Sequence, residues 1–172
     1  MILVSDTSVL IDLERAAFLE AVFALPHEFA VPDVLYHSEL AGEWGDRLRS
    51  LGLRVEEVSK DGVANALRYR QQRSVLSVPD SFALALARER QWLLLTGDGR
   101  LREVAGAEEV ECHGVLWLVD LMEAAGTPGI QLLHDGLTTL AAHPRCRLPP
   151  NEITIRLERY RVVLEAAPDT EP

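Results

Sequence analysis

Four carboxylates in this chain stand where they could bind a metal ion together. Asp6 directly follows the apolar segment Ile2–Val4, and Asp98 closely follows the apolar segment Trp92–Leu95. Like charges at close range repel, and a divalent cation relieves that repulsion. Carboxylate oxygens suit Mg²⁺ or Mn²⁺, and such an ion activates water and stabilises the charge that develops when a phosphodiester is cleaved. The four acids are Asp6, Glu39, Asp80 and Asp98.

Each acid also has an ordinary structural interpretation, and singly that interpretation is favoured. Asp6 suits a helix N-cap, and Asp80 complements a helix dipole. Asp98 suits a turn, and Glu39 suits the solvated helix face on which most glutamates lie. The metal site is favoured only by the four acids taken together, in this order, on an alternating pattern of strands and helices.

The elements that must position these acids alternate between strand-like and helical segments. Short apolar or alternating runs predict strands, and longer runs with cap residues predict helices. The alternation predicts a parallel sheet with helices on both faces, in which ligands bind beyond the carboxyl ends of the strands. The predicted strands are Ile2–Val4, Phe29–Val31, Leu53–Val58, Trp92–Leu95 and Glu109–Cys112. The predicted helices include Pro32–Leu40, Asp61–Arg73, Ser81–Arg90, Leu101–Ala105, Gly114–Ala125, Ile130–Ala142 and Asn151–Leu164.

An ordered set of segments in this pattern resembles the PIN-domain family. The resemblance implies a three-layer α/β/α fold with a central parallel sheet of about five strands. It also implies a metal-dependent endoribonuclease with Mg²⁺ or Mn²⁺ as cofactor, in which the four acids are both the catalytic and the metal-binding residues. Ser8 and Thr96 match positions that support the acids. The matching segments are Ile2–Ile11, Val31–Leu40, Val78–Ala87 and Leu94–Asp98, with a further match at Gly114–Leu118.

The resemblance also sets expectations about domains and partners. It covers residues 1–126, which we expect to be the nuclease domain, followed by a helical extension at 127–165 packed on it and a tail at 166–172. Many small members of the family are VapC-like toxins of bacterial toxin–antitoxin pairs, and many form dimers. The expected partners are therefore an RNA substrate, an antitoxin protein and a second copy of the chain.

Composition limits the other classes of function. The net charge is −10, from 17 basic and 27 acidic residues, which argues against a protein that coats nucleic acid by charge. Local arginines at Arg68, Arg73 and Arg100 are the candidate RNA contacts, although for each one taken singly a solvated charged face is the favoured interpretation. Cys112 and Cys146 are too few for a disulfide scaffold and fit a reduced compartment. With no visible targeting or membrane segment, the expected location is the cytoplasm.

Other α/β folds are possible for this pattern, among them the two-component receiver domain, which also clusters acids at strand ends, and the sequence argues against them. A two-component receiver domain needs a lysine after a late strand, and the sole lysine of the chain is Lys60. A haloacid-dehalogenase-type phosphatase needs Asp-x-Asp after its first strand, but Asp6 is followed by Thr7 and Ser8. A dinucleotide-binding domain needs a glycine-rich first turn, which is absent. The remaining alternative is a PIN-fold module that binds metal or RNA without catalysis.

Overall fold

A five-stranded parallel sheet forms the centre of the computed structural model, which describes residues 1–72 and 76–166. The strand order is β3-β2-β1-β4-β5, and every neighbouring pair is parallel. This confirms the α/β class, the parallel sheet and its number of strands. The strands are β1 (Ile2–Ser5), β2 (Glu28–Pro32), β3 (Arg54–Glu56), β4 (Leu93–Leu95) and β5 (Cys112–His113).

Helices connect these strands and continue after the last one. The predicted helix over Pro32–Leu40 differs in detail, because α3 passes into a π-helical turn at Tyr36–Leu40. Such turns are rare and are frequent at functional sites. The helices are α1 (Thr7–Arg15), α2 (Leu19–Phe23), α3 (Asp33–Leu35), α4 (Glu43–Leu51), α5 (Lys60–Gln72), α6 (Val78–Arg90), α7 (Gly99–Ala107), α8 (Val115–Ala125), α9 (Ile130–Ala142) and α10 (Pro150–Ala166).

Helix α6 is the main helical partner of the sheet within its unit. Ser77 caps the helix by accepting a hydrogen bond from the backbone of Asp80, and Pro79 occupies the first turn, where its missing N–H costs nothing. Every residue from Phe82 to Ala87 is buried, and the helix packs against β1, β2 and β4. The small alanines allow this close approach, which explains why an alternating sequence forms a helix here.

The strand order places two of the acids at one point of the sheet. After β1 the chain adds β2 and β3 on one side, and it then returns to add β4 and β5 on the other. The carboxyl ends of β1 and β4 therefore flank the position where the direction of winding reverses, which is where open parallel sheets bind ligands. Asp6 directly follows β1, and Asp98 begins helix α7 after β4.

The chain divides into two compact units. One consists of Met1–Ile11 and Pro26–Gly114 and contains the sheet, and the other consists of Asp12–Leu25 and the chain from Val115 onward. In the second unit α9 packs on α10. The predicted boundary at residue 126 stays a prediction, and the predicted tail lies outside the described residues beyond Ala166. The residues buried on α9 and α10 are Leu133, Gly136, Leu137, Leu140, Ile153 and Tyr160.

None of the helices that the structure describes has both the length and the apolar character needed to cross a membrane.

Gly136 on α9 allows a close contact inside the second unit. A Cβ at this position would lie 2.3 Å from the Phe18 ring and 2.6 Å from the carbonyl oxygen of Ala16. We expect Gly136→Ala to lower the free energy of unfolding by roughly 1–3 kcal/mol, because overpacking forces the core to shift. Gly106→Ala on α7 is the matched control, since its Cβ would meet nothing within 4 Å.

Urea denaturation followed by circular dichroism measures both variants. The control is expected to gain roughly 0.5–1 kcal/mol, because alanine is the better helix former. Equal stability of Gly136→Ala and the wild type would contradict the contact.

Candidate active site

Asp6 is a buried carboxylate held by three hydrogen bonds. It is 2% exposed. Its Oδ1 accepts from the Ser8 hydroxyl at 2.8 Å and from the Val9 backbone N–H at 2.9 Å. Its Oδ2 accepts from the Thr96 hydroxyl at 2.6 Å. The carboxylate is therefore fixed in one orientation at the carboxyl end of β1, and it also serves as a cap for the start of α1.

The electrostatic environment of Asp6 is unfavourable to its negative charge. Burial raises the pKa of Asp6, and the carboxylate of Asp80 raises it further, while the hydrogen bonds from Thr96, Val9 and Ser8 lower it. Among the described residues, none forms an ion pair with Asp6. A buried acid beside a second acid, with no basic partner, is the environment that a bound cation would stabilise.

Thr96 connects Asp6 to Asp98. Its hydroxyl donates to Asp6 and accepts from the Asp98 backbone N–H at 3.0 Å. The Asp98 carboxylate accepts from the N–H groups of Arg100 at 2.8 Å and Leu101 at 2.9 Å, so it is the N-cap of α7. Asp98 is therefore a helix N-cap rather than the turn residue expected from the sequence, and its backbone N–H shares the Thr96 hydroxyl with the carboxylate of Asp6.

Asp80 is oriented by a reciprocal pair of bonds at the start of α6. The Ser77 hydroxyl donates to Asp80 Oδ2 at 2.7 Å and accepts from the Asp80 backbone N–H at 3.1 Å. The effect of Asp80 on the pKa of Asp6 places the two carboxylates within electrostatic reach of each other.

Glu39 is exposed and lies in the π-helical turn Tyr36–Leu40. Its carboxylate accepts a hydrogen bond from the hydroxyl of Thr7, the residue next to Asp6. The wider turn changes the direction of the side chains that follow α3, and one of these side chains reaches the first turn of α1.

The four acids are linked around Asp6 but do not form a ready cage of ligands. Within residues 1–72 and 76–166, no three His, Cys, Asp or Glu side chains lie together as a metal-binding group. Mg²⁺ usually keeps several waters and binds through one or two carboxylates plus phosphate oxygens. The all-oxygen donor set and the unneutralised Asp6 fit that mode of binding, with Asp80 as the second carboxylate.

Sequence reasoning missed two hydroxyls of the site. Thr7 holds Glu39, and Ser77 holds Asp80. Their signals were available: Thr7 is adjacent to Asp6, and Ser77 stands three positions before Asp80 at the spacing of a capping box. The common arrangement is a carboxylate oriented by a neighbouring Ser or Thr.

The candidate RNA contacts occupy different environments. Arg68 donates to both carboxylate oxygens of Glu108 at 3.0 Å, so its guanidinium already binds an acid. Arg100 is exposed in the first turn of α7, and among the described residues its side chain forms no ion pair. Arg73 lies outside the described residues.

A comparison with known families agrees with this geometry. The DUF3368 family model, described as a PIN domain, matches residues 2–161. The chain belongs to the PIN-domain family. PIN domains are generally nucleases and usually use divalent metal ions. The match to the PIN-domain model continues through α9 and into α10.

A search of solved structures gives a further comparison. A PilT N-terminus domain protein from the hyperthermophilic archaeon Sulfolobus solfataricus P2 is 15% identical, with a TM-score of 0.43. The similarity covers 73% of this PIN-domain chain and 93% of the archaeal chain. No curated protein sequence matches the chain.

The raised pKa of Asp6 predicts a pH-dependent cost to stability. As the pH rises above about 3.9, the ordinary pKa of aspartate, the unfolded chain releases this proton before the folded chain does. The free energy of unfolding therefore falls until the pH passes the pKa of Asp6 in the folded protein. We expect Asp6→Asn to be more stable than the wild type at pH 7 by on the order of 1 kcal/mol, and the difference to vanish below pH 4.

Urea denaturation between pH 3 and pH 8 measures this difference. Asp98→Asn is the matched control, because asparagine is an equally good N-cap and we expect a change under about 0.5 kcal/mol. If Asp6→Asn is less stable than the wild type at pH 7, the hydrogen bonds of the Asp6 carboxylate stabilise the fold by more than the burial of its charge destabilises it, and the prediction is wrong.

Proposed function

We propose that this PIN domain is a metal-dependent endoribonuclease that cleaves phosphodiester bonds in single-stranded RNA. The observation that supports it most is the buried Asp6 carboxylate at the switch point of the sheet, which is held by hydroxyls, feels the charge of Asp80 and has no basic partner among residues 1–72 and 76–166. A buried carboxylate whose pKa is raised by burial and by a neighbouring acid is typical of a functional site.

The four acids have different roles in this proposal. Asp6 and Asp80 bind Mg²⁺ or Mn²⁺, with Glu39 and Asp98 completing the acidic rim. The ion supplies the activation of water and the stabilisation of charge on the phosphodiester. Thr96 and Ser8 keep both oxygens of Asp6 in place, so that the carboxylate need not reorient when substrate arrives.

Arg100 gives the site a cation of its own for the substrate. Its guanidinium is exposed one turn from Asp98 and carries no ion pair among the described residues. Arginine binds phosphate through two parallel hydrogen bonds. Because the whole chain carries a net charge of −10, RNA binding in this proposal depends on such local contacts and on the metal ion.

Cleavage of a labelled single-stranded RNA tests the proposal. Mn²⁺ or Mg²⁺ should support cleavage, chelator should abolish it, and added Mn²⁺ should restore it. Asp6→Asn should reduce kcat by about 100-fold or more, because even residues that only orient a metal ligand cost 10- to 100-fold. Arg90→Ala, at the opposite end of α6 from Asp80, is the control and should cleave like the wild type.

The outcomes separate the candidate functions. Equal cleavage by wild type in chelator would exclude the metal-dependent mechanism. Metal-dependent RNA binding without cleavage by any preparation would favour the alternative, a PIN-fold binding module without catalysis.

We further propose that this nuclease is the toxin of a toxin–antitoxin pair in the cytoplasm and that it forms a homodimer. Helix α10 supports a partner surface, because three apolar side chains on it are exposed by 55%, 62% and 48%. The spacing of seven and eight positions places them on one face of the helix. They are Ile155, Val162 and Val163.

Light scattering tests the homodimer. We expect the wild type to show twice the chain mass and the double substitution Val162→Asp with Val163→Asp to show the chain mass, because burying two charges is unfavourable. Thr154→Asp adds a charge to an exposed polar position of the same helix and should stay dimeric. A monomeric wild type would exclude the dimer, and the exposed apolar face of α10 would then be a candidate binding surface for the antitoxin.

A further inference from the structure

Arg102 reaches back from α7 to the carboxyl ends of two strands. Its Nη2 donates to the carbonyl oxygen of Thr96 at 2.8 Å, and its Nη1 donates to the carbonyl oxygen of Cys112 at 3.2 Å. The planar guanidinium suits two acceptors at a fixed spacing. One side chain thereby joins the residue after β4 to the edge strand β5, in addition to the backbone hydrogen bond from Thr96 to His113.

Thr96 is held at both of its backbone polar groups. Its N–H donates to the carbonyl oxygen of His113 at 2.9 Å, and its carbonyl accepts from Arg102. Its buried hydroxyl is then committed to Asp6 on one side and to the Asp98 N–H on the other. A change in the peptide plane at Thr96 would therefore move the hydroxyl that orients Asp6.

Arg102 has no competing acid to bind. Among the described residues it forms no ion pair, although it is an exposed arginine in a strongly acidic chain. Exposed arginines are usually solvated or paired with a carboxylate. Binding to two backbone carbonyls is therefore the specific contribution of this side chain.

Gly114 leaves room for the contact. A Cβ at this position would lie 3.3 Å from Arg102 Nη2 and 3.5 Å from the carbonyl oxygen of Thr96. Any larger residue would stand beside the hydrogen bond between these two groups. The residue after β5 is thus part of the same arrangement.

We propose that Arg102 is a positioning residue of the active site, which holds Asp6 in place by fixing the peptide of Thr96. For its kinetic consequences this inference rests on the proposed ribonuclease function. Its structural part concerns only the chain itself and can be measured without metal or RNA.

Amide hydrogen exchange followed by NMR measures the structural part. The Asp98 amide is bound to the Thr96 hydroxyl, so we expect its exchange to be at least tenfold faster in Arg102→Ala. The Leu94 amide, which is bound to the carbonyl of Glu111 within the ladder, should keep its wild-type rate. Arg102→Lys should be intermediate, because an ammonium group keeps the charge but not the planar fork.

Arg100→Ala is the matched control for loss of charge. Both arginines lie on α7, but Arg100 makes no side-chain hydrogen bond to a strand carbonyl among the described contacts. Its removal should leave the Asp98 amide unchanged. Gly114→Ala keeps Arg102 but places a methyl group beside its hydrogen bond to the Thr96 carbonyl. This variant should also accelerate exchange of the Asp98 amide.

Kinetics measures the functional part. Arg102→Ala should lower kcat by 10- to 100-fold with little change in KM, the size expected for a residue that orients a metal ligand. Arg100→Ala should mainly raise KM. Because Arg102 is exposed, added guanidinium ion at millimolar concentration should restore part of the kcat of Arg102→Ala, whereas ammonium ion should not.

Two results would overturn the inference. One is wild-type exchange at the Asp98 amide in Arg102→Ala and Gly114→Ala. The other is a loss of kcat in Arg102→Ala that neither lysine nor guanidinium restores in part. Absence of ribonuclease activity in the wild type would instead remove the proposed function, and the exchange measurement would still decide the role of Arg102. Should Arg102→Ala fail to fold, Arg102→Lys and Gly114→Ala carry the same test.

Discussion

The balance of forces on the Asp6 carboxylate is the constraint on which the site depends. Burial disfavours its charge, and the acid Asp80 adds to that cost, while the hydroxyls of Ser8 and Thr96 and one backbone N–H offset part of it. A buried charge of this kind is typically found where it takes part in binding. A bound cation would stabilise the buried Asp6 carboxylate most directly.

Hydroxyl groups solve the same problem for each of the acids that they contact. A carboxylate at a strand end has to be fixed without being neutralised, because an arginine or lysine partner would occupy the place of a metal ion. Ser and Thr donate one hydrogen bond and bring no charge. Arg68, by contrast, binds an acid that is not one of the four, Glu108. This division keeps the acids oriented and still available to a cation.

The sequence contains enough information for the fold class and for the elements that carry the acids. Local patterns place β1 and β4 within one residue, and the cap spacing of Ser77, Pro79 and Asp80 defines the start of α6. The last strand is β5 at Cys112–His113 rather than the predicted Glu109–Cys112. The position of a short strand at a sheet edge is determined by the strand it pairs with rather than by its own apolar residues. The π-helical turn was missed because periodicity over a few residues does not distinguish a turn with one extra residue from a regular one.

The contacts that position the side chains are those that sequence patterns do not contain. Arg68 pairs with an acid 40 positions later, and only the fold brings these residues together. The proximity of Asp80 to Asp6 likewise depends on how α6 crosses the sheet. Local spacing therefore predicts which residues are available for chemistry, and tertiary packing decides which of them remain free.

The hydrogen bond between Thr96 and Asp6 joins residues that are 90 positions apart. This separation affects how the protein folds during its synthesis. Until β4 has been synthesised, the central strand β1 lacks one of its two neighbouring strands. At that stage the chain already contains three of the four acids, but it lacks the Thr96 hydroxyl that orients Asp6. Contacts of this range also form slowly, because a long loop must close first. A nascent chain is thus expected to emerge without an organised acidic site, which forms only after most of the sheet unit has left the ribosome.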